Sequence, residues 1–185
     1  AMTTSPRFRP FSLAALGAGL VAVPLNPTNP AVAMAHELSE SGAVAIVATP
    51  TARAALREID WSTLPDVRTF IGAGFEPGPL GVDIDTLLDH EPAPVVERAP
   101  DDVAVLIFTS GTAGSPRPAM LTHANLLANI RQVLAADERV QEPTDVVFGL
   151  LPMFHIFGLN VMLGVAMAVG ASVLLVERFD PVSAI

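Results

Sequence analysis

The chain contains no cysteine, no lysine and no tyrosine. The first absence removes disulfides, thiolate nucleophiles and thiolate metal sites together, and fits a reducing compartment. The second makes every basic residue an arginine. With 10 basic against 19 acidic residues the net charge is −9, so there is no basic footprint of the kind that neutralises a phosphate backbone, and nucleic acid is not an expected partner. Charged residues are sparse, at 16%. The four histidines, His36, His90, His123 and His155, stand far apart in the chain, so no metal-ligand spacing exists. What is present is apolar: 51% of the 185 residues are hydrophobic, which excludes a disordered tail and suffices for one domain or part of a larger one.

Two apolar stretches raise the question of membranes. Residues 1–10 carry two arginines ahead of an apolar run, a superficial likeness to a secretory signal, yet residues 21–27 meet Pro24 and Pro27 as a buried strand ending at prolines would. Residues 157–176 are uncharged over 20 positions, the length of a membrane span. Gly164 and Gly170 punctuate this run, and its end is rich in branched side chains. A buried helix followed by a buried parallel strand accounts for the same residues. The expectation is a cytoplasmic protein with at most peripheral membrane contact.

Short apolar runs recur at residues 20–25, 43–48, 67–71, 103–108, 146–151 and 171–176, and segments with helical spacing occupy 31–41, 51–59, 123–136 and 156–169. This alternation predicts an α/β fold with a mostly parallel sheet and flanking helices. Residues 72–100, rich in proline, glycine and acidic side chains, read as a surface excursion between a first αβ part (1–71) and a second part (101–185) of a single incomplete domain.

Two glycine patterns carry no nucleotide chemistry. Gly17-Ala18-Gly19-Leu20-Val21-Ala22 has the spacing of the dinucleotide fingerprint, but it precedes a strand instead of following one. Counted from Gly111, the Walker spacing requires glycine and lysine where Pro116 and Arg117 stand.

The informative stretch is Leu106-Ile107-Phe108-Thr109-Ser110-Gly111-Thr112-Ala113-Gly114-Ser115-Pro116-Arg117. An apolar strand runs into hydroxyl side chains interleaved with glycines, then a proline and a cation. Glycines let successive backbone N–H groups turn toward one point, hydroxyls add donors and arginine adds fixed charge, a combination suited to phosphate. The same residues also fit an ordinary Ser/Gly turn between a strand and a hairpin partner, and composition alone does not separate the two.

At Thr109, Ser110, Gly111, Thr112, Gly114 and Pro116 the chain resembles the adenylate-forming superfamily of acyl-CoA synthetases, luciferases and adenylation domains. The likeness extends to Gly19 through Pro30, to Asp101-Asp102-Val103-Ala104, to Met120 through Leu126, to Leu151-Pro152-Met153-Phe154-His155-Ile156-Phe157-Gly158-Leu159, and to Arg178-Phe179-Asp180-Pro181. The run from Pro152 to Gly158 is closer to acyl- and aryl-CoA ligases than to amino-acid-activating domains. The resemblance implies that a carboxylic acid attacks the α-phosphorus of ATP to give an acyl-adenylate, and that a thiol, usually that of coenzyme A, then takes the acyl group. It further implies that Thr109, Ser110, Gly111, Thr112 and Gly114, with Pro116 and Arg117, hold the β- and γ-phosphates with Mg²⁺ nearby. Phe154, His155 and Gly158 would form the gate between acid and nucleotide. On its own residues His155 also fits a core position, and His123 a brace at a helix start near Thr122.

Three positions depart from that pattern: Ala113 replaces a threonine, Arg117 a lysine and Pro118 a glycine. They remove a hydroxyl donor, replace a point charge by a planar fork and delete a backbone N–H, so a weakened or altered nucleotide grip is expected. By the same resemblance, the Mg²⁺-binding glutamate, the ribose-binding aspartate and the adenylation lysine lie beyond Ile185. The expectation is therefore a fragment of a fatty- or aryl-acid CoA ligase that is inactive and self-associating by itself, its other partners being the acid substrate and the remainder of the ligase. The alternatives are a degenerate noncatalytic module, or a piece of a fatty-acyl-AMP ligase or of an amino-acid adenylation domain.

Overall fold

The computed structural model describes residues 8–75, 81–87, 90–109, 116–136 and 141–176. Helix α1 (Phe8–Gly17) leads through an irregular segment to α2 (Ala31–Ser41). Strand β1 (Ala45–Ala48), helix α3 (Arg53–Glu58) and strand β2 (Thr69–Gly72) follow, β2 pairing parallel to β1. Helical spacing decides which side of α2 faces inward: Met34 and Leu38, four apart, are 1% and 4% exposed. They share a core cluster with Leu25, Ile46, Ala48 and Leu56.

Strand β3 (Gly81–Asp83) pairs parallel to β2 and completes a three-stranded sheet in the order β1-β2-β3. The stretch expected to be a surface excursion thus returns to the sheet in its middle, and Ile84 in the following 3-10 turn is buried. Three residues of strand among prolines and glycines are too short for their alternation to stand out. Residues 90–99 are irregular and exposed.

Strand β4 (Val103–Thr109) pairs antiparallel to β5 (Arg117–Thr122), which runs directly into helix α4 (His123–Ala136). Thr122 Oγ1 accepts from the Asn125 N–H, and Asn125 Oδ1 accepts from the Thr122 N–H, both at 3.1 Å. This reciprocal cap satisfies backbone donors that the first helical turn leaves unpaired. The brace expected of His123 is supplied by that pair and by the His123 backbone, whose N–H donates to the Asp102 carbonyl at 3.1 Å.

Strand β6 (Val146–Gly149) pairs parallel to β7 (Ser172–Leu175), with a π-helix (Phe157–Gly164) and helix α5 (Val165–Val169) between them. Gly170, at φ 81°, ends α5 in a left-handed cap that a side chain would strain. The uncharged run 157–176 is therefore divided between helix and strand, and no helix among the described residues is long and apolar enough to cross a membrane. The strand expected to be buried is half open, with Leu174 55% exposed.

Met153, Met162, Leu163, Ala73 and Ile84 form a second cluster that joins the first sheet, through Val47 and Ile71, to β6 and β7, through Val147 and Val173. The strand expected at residues 20–25 is reduced to one parallel bridge between Ala22 and Val105. The Ala22 N–H donates to Ala104 O at 2.9 Å and the Leu106 N–H to Ala22 O at 3.0 Å. Pro24, lacking an N–H, cannot continue the ladder as a donor. The fold is α/β with mostly parallel pairing and flanking helices, as the alternation of runs predicts.

Candidate functional site

Strand β4 brings Ala104, Val105 and Ile107 into the core and surfaces at Thr109. In the β4–β5 register Thr109 stands opposite Arg117 and Phe108 opposite Pro118. Thr109 and Arg117, on either side of the predicted phosphate segment, are therefore cross-strand neighbours. Thr109 Oγ1 donates to the Arg117 carbonyl at 3.5 Å, the outer limit of a hydrogen bond. Thr109 and Arg117 are exposed and Pro116 is half-buried. Ser110, Gly111, Thr112, Ala113 and Gly114 lie outside the described residues, as do Arg178, Phe179, Asp180 and Pro181. Pro118 is accommodated because β5 has β4 as its only strand partner among the described residues.

The segment after β6 makes a tight turn. The His155 N–H donates to the Pro152 carbonyl at 3.1 Å, and His155 Nδ1 accepts from the Phe157 N–H at 3.3 Å. The second bond fixes the ring from its δ side, and His155 is exposed, not a core residue. Gly158 is buried where a Cβ would collide with the Pro152 carbonyl oxygen. This close approach requires glycine for packing, and Gly158 does not line the cavity described next.

A cavity of about 360 Å³ is lined by Thr109 and Phe108 from the end of β4, by Phe154 and His155 from the turn after β6, and by Asn26, Asn29 and Glu37 from the N-terminal part. The tertiary structure thus brings together three predicted site residues, Thr109 from the end of β4 and Phe154 and His155 from the turn after β6. It also adds polar groups not singled out from sequence. Glu37 is 6% exposed, and Asn29 Nδ2 donates to its Oε1 and Oε2 at 3.1 and 3.2 Å. Burial pushes the Glu37 carboxyl up from the ordinary carboxylate range, against the Asn29 hydrogen bond and the nearby His36, which pull it down. The available signal was a charged residue on the apolar face of α2, between Met34 and Leu38.

The model of the family described as AMP-binding enzyme matches residues 1–185. The chain belongs to the AMP-binding enzyme family. It is similar to 4-coumarate–CoA ligase 2 of Nicotiana tabacum, 29% identical over 185 residues that make up 98% of this chain and 34% of that protein. It is likewise similar to a long-chain-fatty-acid–CoA ligase of Bacillus subtilis, 40% identical over 80 residues, 43% of this chain and 14% of the relative. Among solved structures, a long-chain-fatty-acid–CoA ligase from Archaeoglobus fulgidus superposes with a TM-score of 0.83 at 26% identity, over 95% of this chain and 34% of that one. The chain thus spans about a third or less of these AMP-binding relatives' length.

The donor types at the end of the strand pair fit a phosphate-bearing nucleotide: the Thr109 hydroxyl lines the cavity, and Arg117, opposite Thr109 in the register, carries a permanent charge. Among the described residues no group of three or more His, Asp or Glu is placed to hold an ion.

Proposed function

We propose that this chain is the phosphate-binding and acid-gating part of an ATP-dependent acid–thiol ligase, which converts a fatty or aryl carboxylic acid to an acyl-adenylate and then to a thioester of coenzyme A. The observation that carries the reading is the meeting of Thr109 and His155 on one cavity, 46 positions apart in the sequence. Membership of the AMP-binding family and similarity to CoA ligases support it. Thr109, Ser110, Gly111, Thr112 and Gly114, with Pro116 and Arg117, hold the β- and γ-phosphates, orienting the α-phosphorus and stabilising charge on the departing pyrophosphate. His155, with Phe154 and Gly158 at its turn, stands where the acid's carboxylate would approach. Mg²⁺, when bound, supplies charge neutralisation at the phosphates. Its ligands and the coenzyme A site are drawn from outside the described residues, and the enzyme is placed in the cytoplasm with at most peripheral membrane contact.

Residues 1–185 alone are inactive in this reading, since they span about a third of the length of a similar ligase. The test is acid-dependent release of pyrophosphate from ATP by the complete ligase, before and after His155→Ala. Release that requires the acid and falls with the substitution supports the reading, whereas no release with any fatty or aryl acid defeats it. A noncatalytic AMP-binding-like module is the second reading, favoured by Ala113 and Pro118. It predicts that nucleotide binds without pyrophosphate release, and that Ala113→Thr, Arg117→Lys and Pro118→Gly together tighten nucleotide binding.

A further inference from the structure

Glu37 is the one buried ionisable side chain among the described residues, and the proposed reaction makes no use of it. Helix α2 sets it on the core-facing side with Met34 and Leu38. Removing a carboxylate from water there is costly unless its oxygens are paired. A carboxylate offers about four acceptor positions. Its side-chain partner among the described residues is a single amide, Asn29 Nδ2, which bridges both oxygens, and no basic side chain there forms an ion pair with it. Asn29 and Glu37 both line the cavity that Thr109 and His155 line.

The remaining walls include Pro24, Leu25, Ile107 and Ile156, which suit a hydrocarbon. A plain alkyl or phenyl group filling this space would leave the carboxylate with the Asn29 amide as its one side-chain donor among the described residues. A ligand that brings a donor completes the set. A volume of about 360 Å³ lies within the range of small-molecule sites.

We infer that Glu37, oriented by Asn29, is a specificity-determining acceptor, and that the acid taken into this cavity carries a hydroxyl or ammonium group which donates to it. The inference deepens the proposed function and rests on reading the cavity as the place of the acid. A site built around a buried acceptor discriminates against the analogue that lacks the donor, because acceptor capacity beyond the Asn29 bond is then left unmet.

The experiment is calorimetric titration of the complete ligase with paired acids: para-hydroxybenzoate against benzoate, and ω-hydroxyhexanoate and ω-aminohexanoate against hexanoate. At least one donor-bearing acid is expected to bind about tenfold or more tighter than its partner. Glu37→Leu is expected to erase that preference. Glu37→Gln keeps an acceptor oxygen without the charge, so it should retain a preference for hydroxyl and lose one for ammonium. Equal affinities within every pair, no binding of any acid, or a preference that survives Glu37→Leu overturns the inference. Should the leucine variant fail to fold, the glutamine variant decides, an undiminished donor preference of both kinds counting against. Pyrophosphate release, measured in parallel, separates this from the reading beneath it: selective binding without release removes the ligase and keeps the acceptor, and release without selectivity does the reverse.

Discussion

At the scale of single residues, Glu37 makes a prediction about stability as well as specificity. Burial, opposed by the Asn29 hydrogen bond, holds its carboxyl above the ordinary carboxylate range, so the folded state binds the proton more tightly than the unfolded one. The group's stabilising contribution is then complete below the unfolded value and is lost as pH rises through the folded value. Glu37→Gln, neutral throughout, should be more stable than the parent above that raised value, with the gap closing as pH falls below the ordinary carboxylate range. Thermal denaturation across pH reads the difference, each kcal/mol moving the midpoint by about 2–4 °C for a chain of this size, and a gap independent of pH would show that Glu37 is solvated. Gly158 is the second case. A methyl there would meet Pro152 and Leu151 backbone atoms, the latter's carbonyl oxygen at 3.1 Å, and backbone cannot swing aside as a flexible side chain can. Gly158→Ala should cost about 1–3 kcal/mol by overpacking, seen as a lower denaturant midpoint. An unchanged midpoint would mean that the turn bearing His155 is not closed as described.

Among the elements, the start of α4 offers a sharp test. Thr122 and Asn125 cap each other, so Thr122→Ala should cost about 1 kcal/mol. Because both bonds belong to one reciprocal unit, adding Asn125→Ala should cost less than the sum of the single changes. Urea unfolding of the two single variants and the double one measures this, and strict additivity would dissolve the unit. The elements also show which patterns are readable in a sequence. Helices α2 and α4 have the predicted bounds, 31–41 and 123–136, because each has a polar/apolar period long enough to register and a clear stop or start. The spacing over residues 156–169 predicts helix and does not distinguish the π-helical part (Phe157–Gly164). Its run Phe157-Gly158-Leu159-Asn160-Val161-Met162-Leu163-Gly164 is apolar nearly all round, so periodicity carries no information about its winding. The wider turn is accompanied by contacts from elsewhere, Asn160 Nδ2 donating to Leu126 O at 3.1 Å and to Asn129 Oδ1 at 2.8 Å.

For the whole molecule, the two faces of the β6–β7 pair differ. Val147 and Val173 pack into the cluster shared with the first sheet. On the other side Phe148 and Leu174 stand opposite each other in the register, 42% and 55% exposed, with Val146 at 67%. An apolar strip of this kind favours association. Residues 1–185 by themselves should therefore self-associate with rising concentration, and Leu174→Glu should shift them toward monomer. Sedimentation velocity distinguishes this from a chain that is monomeric throughout, or whose assembly ignores the substitution.

The α/β class and the five strands β1, β2, β4, β6 and β7 follow from local order in the chain, the alternation of apolar runs with glycine and proline punctuation, and motifs of fixed spacing single out Thr109, Arg117 and His155 without showing the turn or the strand pairing that hold them. What local order cannot contain is which distant segments meet. Whether residues 20–25 would form a strand depended on how much of β4's edge Pro24 left usable, whether residues 81–83 would join a sheet depended on β2 having an open side, and whether Glu37 would face a solvent shell or a cavity depended on where the ends of β4 and β6 came to rest. Those outcomes are set by packing between elements far apart in sequence, and they decided that a carboxylate on an amphipathic helix would stand beside Thr109 and His155.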